Sequence, residues 1–412
     1  MNTQTRLIPI EKLESGMFVE DVFNDQNILL LSANLKISAH SQIEHLRNQG
    51  VRNLYINLSK GSDVSPAPSS APKQSIAPMP VTAAALPDTE REIKYYKELK
   101  HAVDVHHRTL ETARSVLVAI RNGQDFNLTS IEKSAEGIVE SIINNPDALI
   151  SLCQIKGYDE YTYVHSVNVG VLMASFAHLM SHESDKILEA AMGGILHDIG
   201  KMRVPEPILN KPGKYTAVEF NVMKKHPEYG IDIIKDKTSL SDVTRSIIIQ
   251  HHERFNGSGY PRGLSGESIT VLGLMSAVVD VYDALTSERV YRAAWTPQKA
   301  LALIYQGCDK DYHRDIVERF TRHLGIYPVG SFVRLKSGAM GVVTKVESGH
   351  LLAPCIAMVF DESGKRLTDP VEFDLSTKQL QEGGDRYKID ISLNPRAYQV
   401  ELKDYLPAGR IE

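Results

Sequence analysis

Apolar residues recur first at strand-like and then at helix-like intervals along this chain, and the change of period divides it into parts. Near the N-terminus, "NILLLSANLKI" and "VRNLYINL" read as strands, with a short helix, "SAHSQIEHLRNQG", between them and closed by Gly50. The pattern then stops. Residues 62–88 hold six prolines, and no aromatic occurs between Tyr55 and Tyr95. Such a segment cannot form a core and reads as a flexible, partly extended linker. A long amphipathic helix is expected from about Asp88 to Ile120, ending at "RNGQ". It carries His106-His107, which has no carboxylate cluster or glycine turn beside it and reads as a surface pair.

From about 129 to 325 the period is helical throughout. Thr129-x-x-Glu132 has the form of a capping box. "YVHSVNVGVLMASFAHLM" and "SDKILEAAMGGILHDIG" follow, the second with Gly200 as its C-terminal stop. "TAVEFNVMKKHPEYG", "SDVTRSIIIQHH", "SITVLGLMSAVVDVYDALTS" and "TPQKALALIYQG" continue the pattern, the last opened by the cap-plus-N1 pair Thr296-Pro297. This succession predicts one helical bundle. After Tyr327, apolar and polar residues alternate around glycine turns, which predicts a small β unit. The expected fold class is therefore multidomain and mainly α. It comprises a small α+β domain (1–61), a linker (62–88), a connecting helix (89–128), a bundle (129–325) and a C-terminal β extension (326–412).

Composition narrows the picture only in part. The length of 412 residues suits two or three domains, and 42% hydrophobic with 24% charged residues is ordinary for a globular protein. A formal net charge of −5 argues against DNA or RNA as a partner. No apolar run reaches the ~18 residues of a membrane span, and "MNTQTRLIPIEKLESGMFVE" lacks a signal-peptide core, so the expected location is the cytoplasm. Cys153, Cys308 and Cys355 are far apart and form no CxxC, which disfavours a thiolate metal site.

Candidate chemistry lies in the bundle. His165, His197, His226, His251 and His252 sit beside acids or glycines, and Asp198 follows His197 directly. Asp280 stands in a long apolar helix, where a carboxylate is costly to bury unless it is paired or holds a metal. Taken singly, a histidine on an apolar helix is more often a hydrogen-bonded core group than a ligand, so the argument rests on the set. Seven such groups from several helices suit a two-metal site in a bundle core. Imidazole and carboxylate without thiolate favour iron, manganese, nickel or zinc. Two ions about 3.5–4 Å apart can activate a water and offset phosphate charge, which is the chemistry of phosphoester hydrolysis. The adjacent pair His251-His252 sits where its helix should end. In mid-helix the two side chains would diverge by about 100° and could not face one ion.

Together these motifs resemble the HD-GYP family, a branch of the HD metal-dependent phosphohydrolases. The matching stretches are "HSVNVG" (165–170), "HDIGK" (197–201), "HPEYG" (226–230), "HHERFNGSGYP" (251–261) and "DVYDALTSERVYR" (280–292). The resemblance implies an HD-type bundle and a phosphodiesterase that opens cyclic di-GMP, a bacterial second messenger, to linear pGpG and in some members to GMP. By position, it implies that His165, His197, Asp198 and Asp280 hold one metal and His226, His251 and His252 a second. Asp198 would bridge, and a metal-bridging hydroxide would attack phosphorus. Iron or manganese are the leading ions, with nickel or zinc next. Lys201, four residues after His197 on a helical face, would reach a phosphate oxygen. Arg289 and Arg292 would fork onto phosphate or guanine, and Asp283 would orient a ligand histidine. The Gly259-Tyr260-Pro261 triplet would wall the substrate pocket; read without the family, "NGSGYP" is a turn in which Gly257 and Gly259 allow positive φ. Members with three metals carry a glutamate one turn before the first histidine. Tyr161 stands there in this chain, with Glu160 turned about 100° away, so two metals are expected. "IPIEKLESGMFVEDVF" looks like the accessory domain often found ahead of such units, and is expected to dock on the catalytic bundle or on a signalling-protein partner; an oligomer is compatible with the sequence. The alternative reading is a nucleotide receptor or interaction module with weak or no catalysis.

Overall fold

The computed structural model describes residues 5–23, 29–37, 40–48, 51, 53–57, 60, 90–154, 161–287, 294–347, 349–377 and 384–406. The chain divides into two compact units, Met1–Val81 and Thr82–Glu412.

The first unit is a four-stranded antiparallel sheet. Its strands are β1 (Thr5–Pro9), β2 (Phe18–Phe23), β3 (Leu29–Lys36) and β4 (Asn53–Asn57), in the order β1-β4-β2-β3, with helix α1 (His40–Asn48) between β3 and β4. β3, β4 and α1 match the apolar runs. β1 and β2 are further strands that the short runs "TRLIP" and "FVEDVF" did not announce. Ile10, Met17, Val19, Ile37, Leu54 and Ile56 are fully buried and form this unit's own core. Gly50 and the proline-rich segment lie outside the described residues.

The second unit begins with α2 (Glu90–Arg121), which lies against α3 (Leu128–Asn144), α4 (Pro146–Leu152) and α5 (Tyr161–Leu179). Its Leu99, Ala102, Val105, Val116 and Leu117 belong to the same core as the rest of the bundle. The face that meets the bundle also carries His106, which is only 7% exposed; of the adjacent pair, only His107 faces solvent. α3 is capped by Asn127, whose side chain accepts from Thr129 N–H. Asn127 and Thr129 are both good caps two residues apart, and the earlier one opens the helix.

α5 is apolar round its whole circumference, and Val167, Val171, Met173 and Phe176 are fully buried. Such a helix belongs at the centre of a bundle. α6 (Ser184–Leu196) and α11 (Val271–Thr286) pack on it, while α10 (Asp242–Gln250) packs on α6, α9 (His226–Ile234) and α11. α7 (Glu206–Leu209) and α8 (Ala217–Met223) cross the surface, and α12 (Pro297–Gln306) and α13 (Arg314–Leu324) complete the bundle. Thr296 caps α12 with Pro297 at its start, as read from the sequence.

Two helical readings need correction. "TAVEFNVMKKHPEYG" is two helices, because α8 ends at Met223 and α9 starts afresh at His226 with Pro227 in its first turn. Thr216 and Glu219 form a reciprocal capping box on α8. Gly200 does not stop α6, which ends at Leu196. It lies in the 3-10 turn Ile199–Arg203, where a Cβ would come within 1.8 Å of the His226 carbonyl oxygen. Glycine there lets that turn touch the start of α9.

The C-terminal strands are β5 (Phe332–Leu335), β6 (Met340–Lys345), β7 (Cys355–Phe360), β8 (Arg366–Asp374) and β9 (Ile389–Leu393). They form an antiparallel sheet in the order β8-β7-β6-β5-β9. Both faces of its middle strands are covered: Val342, Ala357 and Val359 enter one apolar cluster, and Val343, Ile356 and Met358 another. No helix of the described residues is long and apolar enough to cross a membrane.

Candidate metal centre

Five of the seven groups sit at ends of helices, where the backbone turns. His197 caps α6 and Asp198 follows it; His226 opens α9; His251 caps α10 and His252 follows it. His165 and Asp280 project from inside α5 and α11. The ligand-type atoms gather in two sets, Asp198 with His226, His251 and His252, and His165 with His197 and Asp280, each within 4.8 Å.

Hydrogen bonds set the tautomers. Nδ1–H of His197 donates to the Gly194 carbonyl at 2.7 Å, that of His226 to Met223 at 2.8 Å, and that of His251 to Ile248 at 2.9 Å. His165 Nδ1–H donates to Asp283 Oδ2 at 2.8 Å. A carbonyl can only accept, so each of the first three rings keeps its proton on Nδ1 and presents an Nε2 lone pair inward. The Asp198 carboxylate lies between the pairs. Its Oδ2 is 3.3 Å from His197 Nε2 and 3.7 Å from His165 Nε2, while its Oδ1 is 3.3 Å from His226 Nε2 and 3.7 Å from His251 Nε2. Asp280 Oδ1 is 3.2 Å from His165 Nε2, and its Oδ2 is 3.6 Å from His252 Nδ1.

The donor set fits divalent cations. His226 Nε2 and His251 Nε2 stand 3.1 Å apart, two lone pairs aimed at each other, which only a proton or a cation makes favourable. His197 Nε2 and Asp198 Oδ1 are buried without a hydrogen-bond partner. Burial pushes His251 down to about 4, and burial with His251 alongside pushes His252 well below its ordinary value, so both imidazoles are neutral at pH 7. Burial opposes ionisation of Asp198, but His197 and Lys201 outweigh it and hold the carboxyl well below the usual range. The same holds for Asp280, where His165 and His252 prevail over burial. Burial lowers His165, yet Asp280 and Asp283 overcome it and raise the imidazole to about 9.

Lys201 reaches this centre by a different route from the one expected. It is not on a continuation of α6; it lies in the 3-10 turn, and Nζ donates to Asp198 Oδ2 at 2.5 Å. Asp283 has the expected place: it accepts from His165, from Asn168 Nδ2 at 3.0 Å and from Ser287 Oγ at 3.1 Å.

On the open side, where His252 is 17% exposed, the chain after α10 folds back. Tyr260 packs on His252, tilted by 35° with ring centres 4.7 Å apart, and stands 6.3 Å from both His226 and Phe220. Burial pushes its phenol upward, so it stays a hydrogen-bond donor. Gly257 has φ +79°, as a turn glycine should. Gly259 does not: it is needed for close approach, since a Cβ would lie 2.3 Å from Arg254 N. The Tyr260–Pro261 peptide is cis. Arg289, Arg292 and Glu160 lie outside the described residues, as does the side chain of Tyr161, which opens α5.

A sequence model described as "HD domain" matches residues 140–316, and one described as "Domain of unknown function (DUF3391)" matches residues 5–131. A Pseudomonas aeruginosa protein, "Cyclic di-GMP phosphodiesterase PA4108", is 35% identical over 360 residues, covering 87% of this chain and 86% of that one. This chain belongs to the HD-GYP family. As an HD-GYP protein it is a metal-dependent hydrolase. Two further relatives match over shorter spans. The cyclic di-GMP phosphodiesterase response regulator RpfG of Xanthomonas campestris pv. campestris is 46% identical over 127 residues, 31% of this chain and 33% of that one. The 3′3′-cGAMP-specific phosphodiesterase 2 of Vibrio cholerae is 36% identical over 173 residues, 41% of this chain and 33% of that one.

Three residues beside this candidate centre escaped the sequence reading. Glu253 is 1% exposed, and its carboxylate accepts from Arg262 N–H at 2.8 Å and Leu264 N–H at 2.9 Å, which ties down the GYP loop. Its place directly after two histidines was the available signal. Asn168, fully buried, lies one turn after His165 and holds Asp283. Phe220, 45% exposed beside Tyr260, comes from α8, and only the tertiary structure brings it to the site.

Proposed function

We propose that this protein hydrolyses cyclic di-GMP to linear pGpG at a centre of two divalent ions. The observation that carries the reading is the Asp198 carboxylate, with one oxygen toward His165 and His197 and the other toward His226 and His251. That is the arrangement a bridging carboxylate requires. His165, His197, Asp198 and Asp280 would hold the first ion, and Asp198, His226, His251 and His252 the second. The absence of cysteine from both sets favours iron or manganese over softer ions, with nickel and zinc behind them. Bound there, the ions would supply Lewis acidity at phosphorus and an acidified water at neutral pH.

The chain's own residues do the rest. Asp283 fixes the His165 tautomer, and the backbone carbonyls of Gly194, Met223 and Ile248 fix the others. Lys201, whose Nζ lies beside Asp198, is placed to meet a non-bridging phosphate oxygen. Tyr260 offers a protonated phenol and a ring face to the nucleotide, with Gly259 and Pro261 holding it in place and Phe220 extending the aromatic surface. Arg289 and Arg292 remain candidates for the far phosphate or guanine. Attack by water at phosphorus breaks one P–O3′ bond and leaves a 3′-hydroxyl and a 5′-phosphate.

We assign residues 1–61 to an accessory domain that engages signalling partners or a second copy, 62–88 to a linker, 89–128 to a connecting helix, 129–325 to the catalytic domain and 326–412 to a C-terminal β extension. The assigned location is the cytoplasm. The test is turnover of cyclic di-GMP, beside 3′3′-cGAMP, by metal-replete protein under reducing conditions. The linear product is expected from cyclic di-GMP, and Asp198→Ala should lower the rate at least about a thousandfold, the scale of losing a fixed charge at the transition state. No turnover by the wild type overturns the reading. Metal analysis should give two ions per chain; three would overturn the expectation drawn from Tyr161.

A further inference from the structure

Outside the ligand set, α2 carries a buried histidine that the proposed chemistry does not use. His106 is 7% exposed, and its Nε2 has no partner at standard hydrogen-bond geometry. The side chain it faces is Asn168 on α5, which is fully buried. The Asn168 amide nitrogen is committed to two acceptors, Asp283 Oδ1 at 3.0 Å and the Cys153 carbonyl at 3.4 Å. Its Oδ1 is therefore left toward His106, and that oxygen too is buried without a partner. A buried amide oxygen needs a donor, and the two orphaned atoms complement each other. Burial, with His107 alongside, pushes His106 down to about 4, so at neutral pH the ring carries a single N–H.

We propose that His106 is a positioning residue for the metal centre: its Nε2–H holds the Asn168 amide, which orients Asp283, which in turn orients His165. The chain of contacts runs from the middle of α2, through α5 and α11, back to a ligand on α5. Each step has a physical purpose. A donor on Asn168 Oδ1 keeps the amide from flipping. The fixed amide gives Asp283 Oδ1 a donor of its own and leaves Oδ2 for His165 Nδ1–H. That bond fixes the orientation of the His165 ring, with Nε2 facing Asp198 and Asp280. The long helix leading out of the N-terminal part of the chain thus bears on metal affinity without touching metal.

The inference rests on the metal-centre reading, and the experiment separates the two. Mn²⁺ binding to the full-length chain is followed by titration calorimetry. Wild-type protein that binds no Mn²⁺ overturns the centre itself. If it binds, His106→Phe, which keeps a ring and loses the donor, should weaken binding about tenfold, the lower range for outer-shell partners of a ligand. His106→Gln, which keeps an N–H, should stay within about twofold on the same scale. In an Asn168→Leu background, His106→Phe should have no further effect, because the group it acts through is gone. Unchanged Mn²⁺ affinity of His106→Phe, or the same loss in both backgrounds, overturns the proposal. A readout on the wild type does not depend on that variant folding. In ¹⁵N-histidine spectra, the His106 signal, assigned by its loss in His106→Gln, should show the Nε2–H tautomer. The Nδ1–H tautomer overturns the proposal.

Discussion

At the scale of single residues, the bundle uses burial to keep imidazoles neutral. His251 and His106 are both pushed to about 4, the first within the candidate metal centre and the second outside it. The consequence for stability can be worked out for His106. Its folded value lies below the ordinary 6.5, so between pH 6.5 and about 4 the unfolded chain binds the extra proton and the folded chain does not. Stability from this residue is therefore complete above pH 6.5 and falls as the pH drops toward 4. The full span corresponds to about 3 kcal/mol. Denaturant unfolding of metal-free protein at pH 7 and pH 4.5 should show a smaller acid loss in His106→Gln than in the wild type; equal losses would count against a buried neutral ring. Reading His106-His107 as a surface pair went wrong for a residue-level reason. On a helix packed on several neighbours, adjacent positions face about 100° apart, so one may be core and the other solvent.

At the scale of elements, the segment from α10 to α11 works as one piece. The helix ends at Gln250, so His251 and His252 can both turn to the centre, and the loop then comes back to lay Tyr260 on His252. Glu253 holds that return through two backbone N–H groups. Glu253→Gln keeps the size and removes the charge and one acceptor, at a cost of about 1.5–3 kcal/mol for a hydrogen bond to a charged group. The expected result is a KM about tenfold higher or more with metal content unchanged. A drop in bound metal would show instead that Glu253 supports the ligands. Helix ends were the least legible feature. The apolar spacing runs straight across Lys224-Lys225, where α8 gives way to α9, and so does not mark the break. Likewise the spacing of His197 and Lys201 suggested one helical face, whereas the turn after Asp198 is what sets Nζ beside the carboxylate.

At the scale of the whole molecule, the second unit begins before the HD match does. The match to the domain of unknown function runs from 5 to 131, yet α2 shares its core with the bundle. A chain starting near residue 88 should stay folded and bind Mn²⁺, while one starting near 123 should aggregate. The second cut removes Leu99, Val103, Val105, Val116 and Leu117 from the core, each worth about 1.5–3 kcal/mol. Their sum matches the ~5–15 kcal/mol by which a domain is stable. A folded, metal-binding chain from 123 would refute this. The sequence by itself determined the helical bundle, the β units at either end and all seven metal-ligand candidates, because periodicity reports which face is buried and a carboxylate or imidazole in an apolar run must have a partner. Only the tertiary structure decided which oxygen of Asp198 meets which histidines, that Gly200 and Gly259 serve close approach, and that Asn168, Glu253 and Phe220 lie beside the candidate centre. Those facts depend on distances between segments up to about a hundred residues apart, which spacing along one strand or helix does not encode.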